Sequence, residues 1–366
     1  MSIDATQADE QANGLLGGPL ATTPLNRKDF VTEEPRWCPG CGDYSILSAF
    51  QQVLPELGIA RENTMVVSGI GCSSRLPYYL NSYGIHSIHG RATTLATGLA
   101  VTRPDLAVFV VTGDGDALSI GGNHLLHALR RNVNITILLF NNRIYGLTKG
   151  QYSPTSAVGQ VTKSSPMGAP DRPVLRRALR NGIAAYALGS GATFVARSLD
   201  SDREHLVSTI AAAAHHRGAS LVEIYQNCPV FNDGAFEALK GPGADEAVIP
   251  LVAGEQIRFG TDRELCVVPD ANGGVRIAKV SEVKEADIVV HDPTNPDPTR
   301  AFALSRLTDS GVMHRAPMGI FRDISLPSYD DQVRTQITQA THGEANPSSD
   351  PALQNLINGT DTWLVE

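Results

Sequence analysis

Hydrophobic residues along the chain fall into short continuous runs that alternate with stretches of helical spacing. The runs predict buried strands at 64–69, 105–112, 134–141 and 220–225. The helical spacing predicts helices at 43–57, 92–101, 118–131 and 203–216. Continuous Val, Ile and Leu runs are typical of strands covered on both faces, and their alternation with helices is typical of a parallel sheet. The pattern therefore predicts an α/β fold, with a mostly parallel sheet and helices on both faces.

The same pattern divides the chain into four regions. These are an aperiodic N-terminal tail at 1–30, an α/β domain at 31–235, a Gly- and Pro-punctuated C-terminal region at 236–330 and a polar C-terminal tail at 331–366. Short strands are expected at 255–259 and 265–268, and an extended segment at 318–326. The apolar end of the tail, Trp363-Leu-Val365, is expected to dock on a neighbouring surface.

Composition narrows the class of protein. Charged residues make up 19% of the 366 residues, against about 25% in an average soluble chain, and a buried partner surface would account for the difference. The formal net charge of −8 disfavours a sequence-independent nucleic-acid binder, which would be basic. The longest apolar runs, 106–111 and 135–140, fall far short of the about 20 residues that span a bilayer. The N-terminus is acidic and polar, unlike a signal peptide, so a cytoplasmic protein without membrane contact is expected.

Acidic and amide side chains follow two of the predicted strands. Gly113-Asp114-Gly115-Asp116 comes directly after one buried strand, and Asn141-Asn142 ends the next. Parallel strands end at the same edge of a sheet, where such sheets bind ligands, so Asp114 and Asn142 are expected to lie side by side. A carboxylate and an amide oxygen suit Mg²⁺, which keeps positions open for phosphate oxygens. Gly115 leaves room for a pyrophosphate, and a helix starting at Leu118 offers it free N–H groups.

The five cysteines are an odd number, which disfavours a disulfide framework. Cys38 and Cys41 form a Cys-Pro-Gly-Cys pair that is compatible with half a zinc knuckle, a redox dithiol or part of an iron–sulfur site. Cys72 and Cys228 each follow a predicted strand near the edge that carries Gly113, so a loop and two strand ends can together supply four thiolates. Cys266 lies in an apolar run and is expected to be a buried structural thiol.

Asp114 and Asn142, which stand 28 residues apart, resemble the thiamine diphosphate–Mg²⁺ motif. The continuation at 142–151, Asn-Arg-Ile-Tyr-Gly-Leu-Thr-Lys-Gly-Gln, resembles more narrowly the β subunits of 2-oxoacid:ferredoxin oxidoreductases, and among them the 2-oxoglutarate type. Further segments that share the resemblance are Trp37-Cys-Pro-Gly-Cys-Gly-Asp-Tyr44, Gly69-Ile-Gly-Cys-Ser-Ser-Arg75, His89-Gly-Arg91 and Asn227-Cys-Pro-Val-Phe-Asn-Asp233. The resemblance covers residues 37–233 and implies a thiamine diphosphate-binding fold with an iron–sulfur site at 31–235.

The resemblance also implies roles for individual residues. Mg²⁺ would be held by the Asp114 carboxylate, the Asn142 side chain and the Ile144 carbonyl. Residues implied to border the cofactor are Gly71, Cys72, Ser73, His89, Gly113, Asp114, Gly115, Asp116, Asn142, Ile144, Gly146 and Leu147, with His89 close to its reacting end. The cysteines implied to hold a [4Fe–4S] cluster are Cys38, Cys41, Cys72 and Cys228.

The implied reaction is the oxidative decarboxylation of 2-oxoglutarate to succinyl-CoA and CO₂, with coenzyme A as acyl acceptor and ferredoxin as electron acceptor. We identify neither a glutamate to activate the cofactor's aminopyrimidine ring nor a Cys-x-x-Cys-x-x-Cys segment in this sequence. By the resemblance, a partner α subunit supplies the glutamate. Arg75 and Lys149, beside the matched motifs, are candidate partners for the substrate carboxylates.

Three other functions remain open from the sequence. The same chemistry on pyruvate, a branched-chain acid or indolepyruvate would use the same motifs. A non-redox thiamine carboligase or decarboxylase would explain Asp114 and Asn142 but would leave four cysteines without a role. A non-catalytic scaffold would use Cys38 and Cys41 for zinc and Gly113–Asp116 as a turn.

Overall fold

The structure is a computed structural model that describes residues 19–169, 182–308, 313–341, 350–360 and 363. Residues 1–18 of the predicted N-terminal tail, and Leu364 and Val365 of the apolar C-terminal end, lie outside the described residues. Trp363 itself is exposed. No helix among the described residues is long and apolar enough to cross a membrane.

The strands of the described chain are numbered in sequence order. They are β1 (Thr64–Ser68), β2 (Tyr83–His86), β3 (Ala107–Gly113), β4 (Ile135–Asn141), β5 (Ile144–Tyr145), β6 (Gln151–Tyr152), β7 (Phe194–Leu199), β8 (Ala219–Tyr225), β9 (Val248–Leu251), β10 (Arg258–Phe259), β11 (Leu265–Pro269), β12 (Val275–Lys279) and β13 (Ala316–Asp323). The α-helices are α1 (Asp43–Leu57), α2 (Ala92–Thr102), α3 (Gly122–Arg130), α4 (Gly182–Gly189), α5 (Arg203–His215), α6 (Ala244–Ala247), α7 (Thr299–Ser305), α8 (Tyr329–Ala340) and α9 (Asp350–Asn358).

Eight of the strands form one sheet in the order β2-β1-β3-β4-β8-β7-β13-β9. Neighbouring strands in it run parallel, except that β13 is antiparallel to β7. Successive residues of the central strands pack into different cores. Val110 belongs to one apolar cluster, whereas Phe109 and Val111 belong to another. The sheet is therefore covered on both faces, and the predicted α/β fold with a mostly parallel sheet is confirmed.

The region after residue 236 is more closely joined to the sheet than its composition suggests. Strands β9 and β13 extend the eight-stranded sheet, and β13 lies between β7 and β9. Only β10, β11 and β12 form a separate, antiparallel sheet of three strands. The amino-acid composition changes at residue 236 because the connections after it are rich in Gly and Pro. The strands before and after this residue nevertheless belong to one hydrogen-bonded sheet.

The predicted helix at 118–131 consists of two segments. A π-helical turn at Asp116–Ile120 follows the end of β3, and the α-helix proper begins at Gly122. Gly121 joins the two segments, and a Cβ atom at this position would lie 3.0 Å from the Cα of Gly90. π-Helical turns occur frequently at functional sites. The residue before α3 therefore packs against Gly90, which directly follows His89 in the chain. The helix α3 begins four residues later than the hydrophobic spacing predicts.

Candidate active site

The carboxyl ends of β3 and β4 lie beside each other at one edge of the sheet. These parallel strands pair from Phe109 opposite Thr136 to Gly113, at the end of β3, opposite Phe140. The chain leaves β3 into Asp114 and leaves β4 into Asn142, so both side chains reach the same edge. The crevice outside the carboxyl ends of the strands is where open α/β sheets bind ligands.

A cavity of about 160 Å³ opens at this edge. Its lining contains every residue that the sequence placed around the cofactor: Gly71, Cys72, Ser73, His89, Gly113, Asp114, Gly115, Asp116, Asn142, Ile144, Gly146 and Leu147. The lining also contains residues that the sequence did not indicate, namely Ile70, Phe140, Tyr145, Thr148 and Gln226. In the described part of the chain, no lining residue is a glutamate.

Asp114 lines this cavity and is buried. Its carboxylate accepts hydrogen bonds from the hydroxyls of Ser153, at 2.5 Å, and of Thr155. Burial raises the pKa of the Asp114 carboxyl to about 6, although these hydrogen bonds oppose the rise. A buried carboxylate with neutral donors around it is suited to bind a cation. Ser153 and Thr155 were missed from sequence because hydroxyl residues are common in loops and nothing in their spacing marks them.

The loop after β4 is shaped by hydrogen bonds to its own asparagines. The Asn142 side-chain oxygen accepts from the Ile144 N–H at 3.1 Å, and the Asn141 side-chain oxygen accepts from the Arg143 N–H at 3.2 Å. Arg143 has a φ of 60°, in the left-handed region that non-glycine residues rarely adopt. The loop thus turns sharply and brings Asn142 and Ile144 onto the cavity wall beside Asp114. An all-oxygen donor set of carboxylate, amide and backbone carbonyl fits Mg²⁺.

Asn141 connects this loop to a buried ion pair in the sheet. Its side-chain N–H donates to Glu223 at 2.8 Å, and Glu223 accepts from the Arg197 guanidinium at 2.8 Å. Neither Arg197 nor Glu223 is exposed to solvent. Arg197 also donates to the Thr308 hydroxyl and to the carbonyl of Pro317, the second residue of the antiparallel strand β13. The orientation of Asn141 is therefore fixed by charged groups from β7 and β8.

His89 lies on the cavity wall and is held by Asp116. The His89 Nδ1 is 2.5 Å from one oxygen of the buried Asp116 carboxylate. Asp116 also accepts from the backbone N–H groups of Gly90 and Ile70 and from the Thr112 hydroxyl. These donors hold the Asp116 carboxylate in one position beside His89. The carboxylate therefore holds the proton of His89 on Nδ1 and fixes the orientation of the ring.

The space over Gly115 is filled by an aromatic ring. A Cβ atom at Gly115 would lie 2.3 Å from Cε1 of Tyr145, and the Tyr145 hydroxyl donates to the Gly115 carbonyl at 2.9 Å. The sequence suggested that Gly115 leaves room for a pyrophosphate. The structure adds a second reason for glycine here, which is the close approach of Tyr145.

The four motif cysteines come from three chain segments that are tied together. The Trp37 indole donates to the Cys72 carbonyl at 2.8 Å, and the Gly42 N–H donates to the Asn227 carbonyl at 3.1 Å. The sulfurs of Cys72 and Cys228 each lie 3.6 Å from the position that a Cβ at Gly146 would occupy. Gly146 and Cys72 both line the cavity, so these two thiols lie close to its wall.

Electrostatic interactions link Cys72 with each of the other three motif cysteines. Burial, followed by the nearby Asp43 carboxylate, raises the pKa values of the Cys41 and Cys72 thiols, that of Cys72 to about 12. Among the described residues, no three His, Cys, Asp or Glu side chains are placed to hold a single metal ion. A tetrahedral zinc site requires sulfurs only about 3.8 Å apart, whereas an iron–sulfur cluster is itself a body of several atoms with its thiolates at the corners. The proximity of the four motif cysteine thiols to one another fits an iron–sulfur cluster. Cys266 lies apart from them, buried in β11 as expected.

The two predicted substrate cations lie outside the cavity lining, as far as the described residues define it. Arg75 donates to the Tyr79 hydroxyl at 3.1 Å and stacks over that ring. Lys149 is exposed, one residue beyond Thr148 of the cavity wall. The structure therefore does not bring either cation onto the cavity wall with His89 and Asp114.

Fold and site together define a thiamine-dependent enzyme. The family described as thiamine pyrophosphate enzyme, C-terminal TPP binding domain, matches residues 64–224. The matched residues run from β1 into β8 and include both Asp114 and Asn142. The predicted thiamine diphosphate-binding fold is confirmed by this match.

Similar proteins narrow the family. The 2-oxoglutarate oxidoreductase subunit KorB of Mycobacterium tuberculosis is 58% identical over 351 residues, which is 96% of this chain and 91% of the relative. The 2-oxoacid:ferredoxin oxidoreductase 1, subunit beta, of Aeropyrum pernix is 38% identical over 285 residues, 78% of this chain and 76% of the relative. A solved structure, the 2-oxoglutarate:ferredoxin oxidoreductase from Magnetococcus marinus with 2-oxoglutarate, coenzyme A and succinyl-CoA bound, is 34% identical with a TM-score of 0.69, covering 90% of this chain and 95% of that one. The chain belongs to the β-subunit family of the 2-oxoacid:ferredoxin oxidoreductases, as the sequence motifs indicated.

Proposed function

We propose that this chain is the β subunit of an enzyme that oxidatively decarboxylates 2-oxoglutarate. The reaction consumes 2-oxoglutarate, coenzyme A and two oxidised ferredoxins, and it yields succinyl-CoA, CO₂, a proton and two reduced ferredoxins. The observation that carries the proposal is the meeting of two sites at Gly146. Gly146 lines the thiamine cavity, and a Cβ at this residue would lie 3.6 Å from the sulfur of Cys72 and 3.6 Å from that of Cys228. The names of the relatives support 2-oxoglutarate as the substrate.

Mg²⁺ and the diphosphate of the cofactor belong at the carboxyl ends of β3 and β4. The Asp114 carboxylate, the Asn142 side-chain oxygen and the Ile144 carbonyl would hold the ion, and Gly113 and Gly115 would border the diphosphate. When bound, thiamine diphosphate supplies a nucleophilic carbon and an electron sink for decarboxylation. The contribution of this chain is to replace water around a charged ligand with fixed donors and acceptors.

Cys38, Cys41, Cys72 and Cys228 would hold a [4Fe–4S] cluster, which accepts electrons one at a time. Cys38 is exposed whereas Cys228 is buried, so the four-thiol site extends from the cavity wall towards the surface. Such a path suits a soluble electron acceptor, which we propose to be ferredoxin. We place the enzyme in the cytoplasm, where thiols stay reduced.

His89 is proposed to move a proton at the reacting end of the cofactor. Asp116 holds its Nδ1–H, so Nε2 is the nitrogen left to accept a proton. Asp116 itself is fully occupied by its four donors and is proposed to orient His89 rather than to react.

The activating glutamate is proposed to come from an α subunit, which would close over the cavity. The exposed fraction of the Leu147 side chain is 48% even though this residue lines the cavity, so the cavity wall continues onto the free surface of this chain. The enzyme would then be a hetero-oligomer with its active site at the subunit boundary.

Lys149 is proposed to bind the distal carboxylate of 2-oxoglutarate at the rim of the cavity, with Arg75 as a second candidate. Replacing Lys149→Met should lower kcat/KM for 2-oxoglutarate more than for pyruvate, because only the former has a second carboxylate. Lys163→Met is a matched control, since Lys163 is also exposed and does not line the cavity. Equal losses on both substrates would refute the role of Lys149.

The direct test of the function is a substrate panel. The chain is co-purified without oxygen with its α subunit and supplied with thiamine diphosphate, Mg²⁺, coenzyme A and a viologen dye. We expect a brown protein with about four iron atoms per chain, and dye reduction that depends on both 2-oxoglutarate and coenzyme A. A colourless protein containing zinc would favour the scaffold, and faster dye reduction with pyruvate would reassign the substrate.

A further inference from the structure

Gln226 connects the thiamine cavity with the thiol of Cys41. It directly follows β8, is 1% exposed and lines the cavity. Its backbone N–H donates to the Asn141 carbonyl at 3.1 Å, which continues the pairing of β8 with β4. Its side-chain nitrogen lies 2.5 Å from the Asn227 carbonyl oxygen and 3.3 Å from the Cys41 sulfur. The primary amide has two N–H groups, so it can donate to both acceptors at once.

The surroundings hold this amide at a fixed position relative to Cys41. Asp200 accepts from the Asn227 N–H at 2.8 Å and from the Lys240 ammonium at 2.7 Å. A Cβ at Gly42, next to Cys41, would lie 2.0 Å from an Asp200 oxygen and 2.9 Å from Cγ of Gln226. The glycine therefore lets the Cys41 loop pack directly against Asp200 and Gln226, and the amide has little room to turn away from the sulfur.

We propose that Gln226 is a positioning residue that raises the reduction potential of the iron–sulfur cluster by donating an N–H hydrogen bond to the Cys41 sulfur. This inference rests on the proposed cluster. Reduction adds negative charge that is shared with the ligand sulfurs, and a hydrogen bond to such a sulfur stabilises that charge. The reduction potential of the cluster is thus adjusted by a residue that also lines the cavity in which the substrate is oxidised.

The test compares the assembled holoenzyme with two glutamine variants. Gln226→Met keeps the length of the side chain and removes both donors. Gln51→Met is the control, because Gln51 is also buried but donates to the carbonyls of Phe30 and Tyr79 and to no cysteine. A redox titration followed by electron paramagnetic resonance should give a more negative midpoint for Gln226→Met and an unchanged midpoint for Gln51→Met. A wild-type midpoint in a Gln226→Met enzyme with full iron and sulfide content would overturn the proposal.

A second measurement needs no variant to assemble. Wild-type enzyme is prepared with glutamine labelled with ¹⁵N at the side-chain amide, and the reduced cluster is studied by pulsed hyperfine spectroscopy. We expect a ¹⁵N coupling and an exchangeable proton coupling that disappears in D₂O, and the absence of both would overturn the proposal. A wild-type enzyme without iron or a reduced-cluster signal would instead refute the proposed function, so the two failures are distinguishable.

Discussion

Asp114 shows how one residue combines burial with a ligand role. It is 2% exposed, and burial is the largest cause of a carboxyl pKa of about 6. Ser153 and Thr155 supply the hydrogen bonds that make the ionised form accessible near neutral pH. Bound Mg²⁺ would favour the ionised form further, so metal and proton compete for the same carboxylate.

This competition predicts a pH dependence of metal binding. A raised pKa means that the carboxyl is protonated below about 6 and ionised above it. The apparent Mg²⁺ affinity in the presence of thiamine diphosphate should fall by up to about tenfold per pH unit below that point. Titrating Mg²⁺ between pH 5 and pH 8 measures this, with cofactor binding followed by fluorescence.

Asp114→Asn provides the matched control for this pH series. The variant should bind Mg²⁺ at least about tenfold more weakly at pH 7.5, since a neutral amide replaces the anionic ligand. Any Mg²⁺ binding that remains in the variant should lack the part of the pH dependence that the Asp114 carboxyl causes in the wild type. The same pH profile in both proteins would assign the effect to the cofactor phosphates instead.

The contact between Gly115 and Tyr145 predicts a second local effect. Gly115→Ala should push the Tyr145 ring from its place, because the new Cβ would lie 2.3 Å from Cε1. We expect thiamine diphosphate to bind at least about tenfold more weakly, since both residues line the cavity and a clash at this distance requires rearrangement. The dissociation constant from fluorescence quenching measures the effect.

A second substitution separates the clash from other effects of alanine. Gly115→Ala combined with Tyr145→Leu should recover part of the affinity, because leucine leaves space for the Cβ. Tyr145→Phe alone removes only the hydrogen bond to the Gly115 carbonyl and should have a smaller effect. If the double variant binds no better than Gly115→Ala, the ring is not the cause.

The residues of the proposed site differ in how clearly the sequence indicates them. Asp114, Asn142 and the cysteine pair stand in short motifs with fixed spacing. Ser153 and Gln226 come close to the site only through the path of a loop and the pairing of β8 with β4, which no local pattern encodes. The sequence therefore indicates the proposed ligands but not the groups that hold them in place.

At the scale of elements, the central strands carry one buried ion pair among apolar residues. Arg197 on β7 and Glu223 on β8 lie opposite each other in the parallel register. Burying two charges is costly, and a pair of this kind contributes specificity more readily than net stability. Here Glu223 also holds Asn141, so we infer that the pair fixes the end of β4 at the metal site.

Single and double substitutions of the pair should differ strongly. Arg197→Met leaves Glu223 as an unpaired buried charge and should lower the free energy of unfolding by about 3–5 kcal/mol. Arg197→Met combined with Glu223→Leu should recover most of that loss, measured by denaturant unfolding. The double variant should still bind thiamine diphosphate more weakly than the wild type, because Asn141 has lost its acceptor. Wild-type affinity in a stable double variant would contradict the role of the pair.

The elements themselves were predicted to different degrees. The buried strands β1, β3, β4 and β8 agree with the sequence within one or two residues, because continuous Val, Ile and Leu runs are a strong signal. Strand β13 was expected only as an extended segment, since it is short of such a run and its position depends on pairing with β7 far away in sequence. The π-helical turn has no sequence signal of its own.

For the whole molecule, helix α8 ties the C-terminal part of the chain to the sheet. Asp330 is 1% exposed and accepts from the N–H of Asn134, the residue before β4, at 2.9 Å. Arg334 donates to the Ala100 carbonyl at 2.9 Å and pairs with Asp330 at 2.8 Å. By contrast, Leu356 and Ile357 of α9 are exposed. The two helices therefore differ in their expected contribution to stability.

Two truncations test this difference. A chain ending at residue 341 should unfold within about 2 °C of the full chain, because it keeps α8. A chain ending at residue 326 should unfold several degrees lower, because it leaves the half-buried Asn134 N–H without its acceptor, a loss of about 1 kcal/mol. Differential scanning fluorimetry under one buffer condition compares them. Equal midpoints for the two truncations would show that α8 does not anchor the fold.

The placement of β13 has a consequence for the order in which the molecule can be built. This strand lies between β7 and β9, yet it is separated from β7 by more than 100 residues of chain. During synthesis on the ribosome, the edge of β7 that pairs with β13 stays unpaired until the segment ending at Asp323 has emerged. We infer that the eight-stranded sheet is completed only after the segment ending at Asp323 has been synthesised, and that the nascent chain is open to mispairing until then.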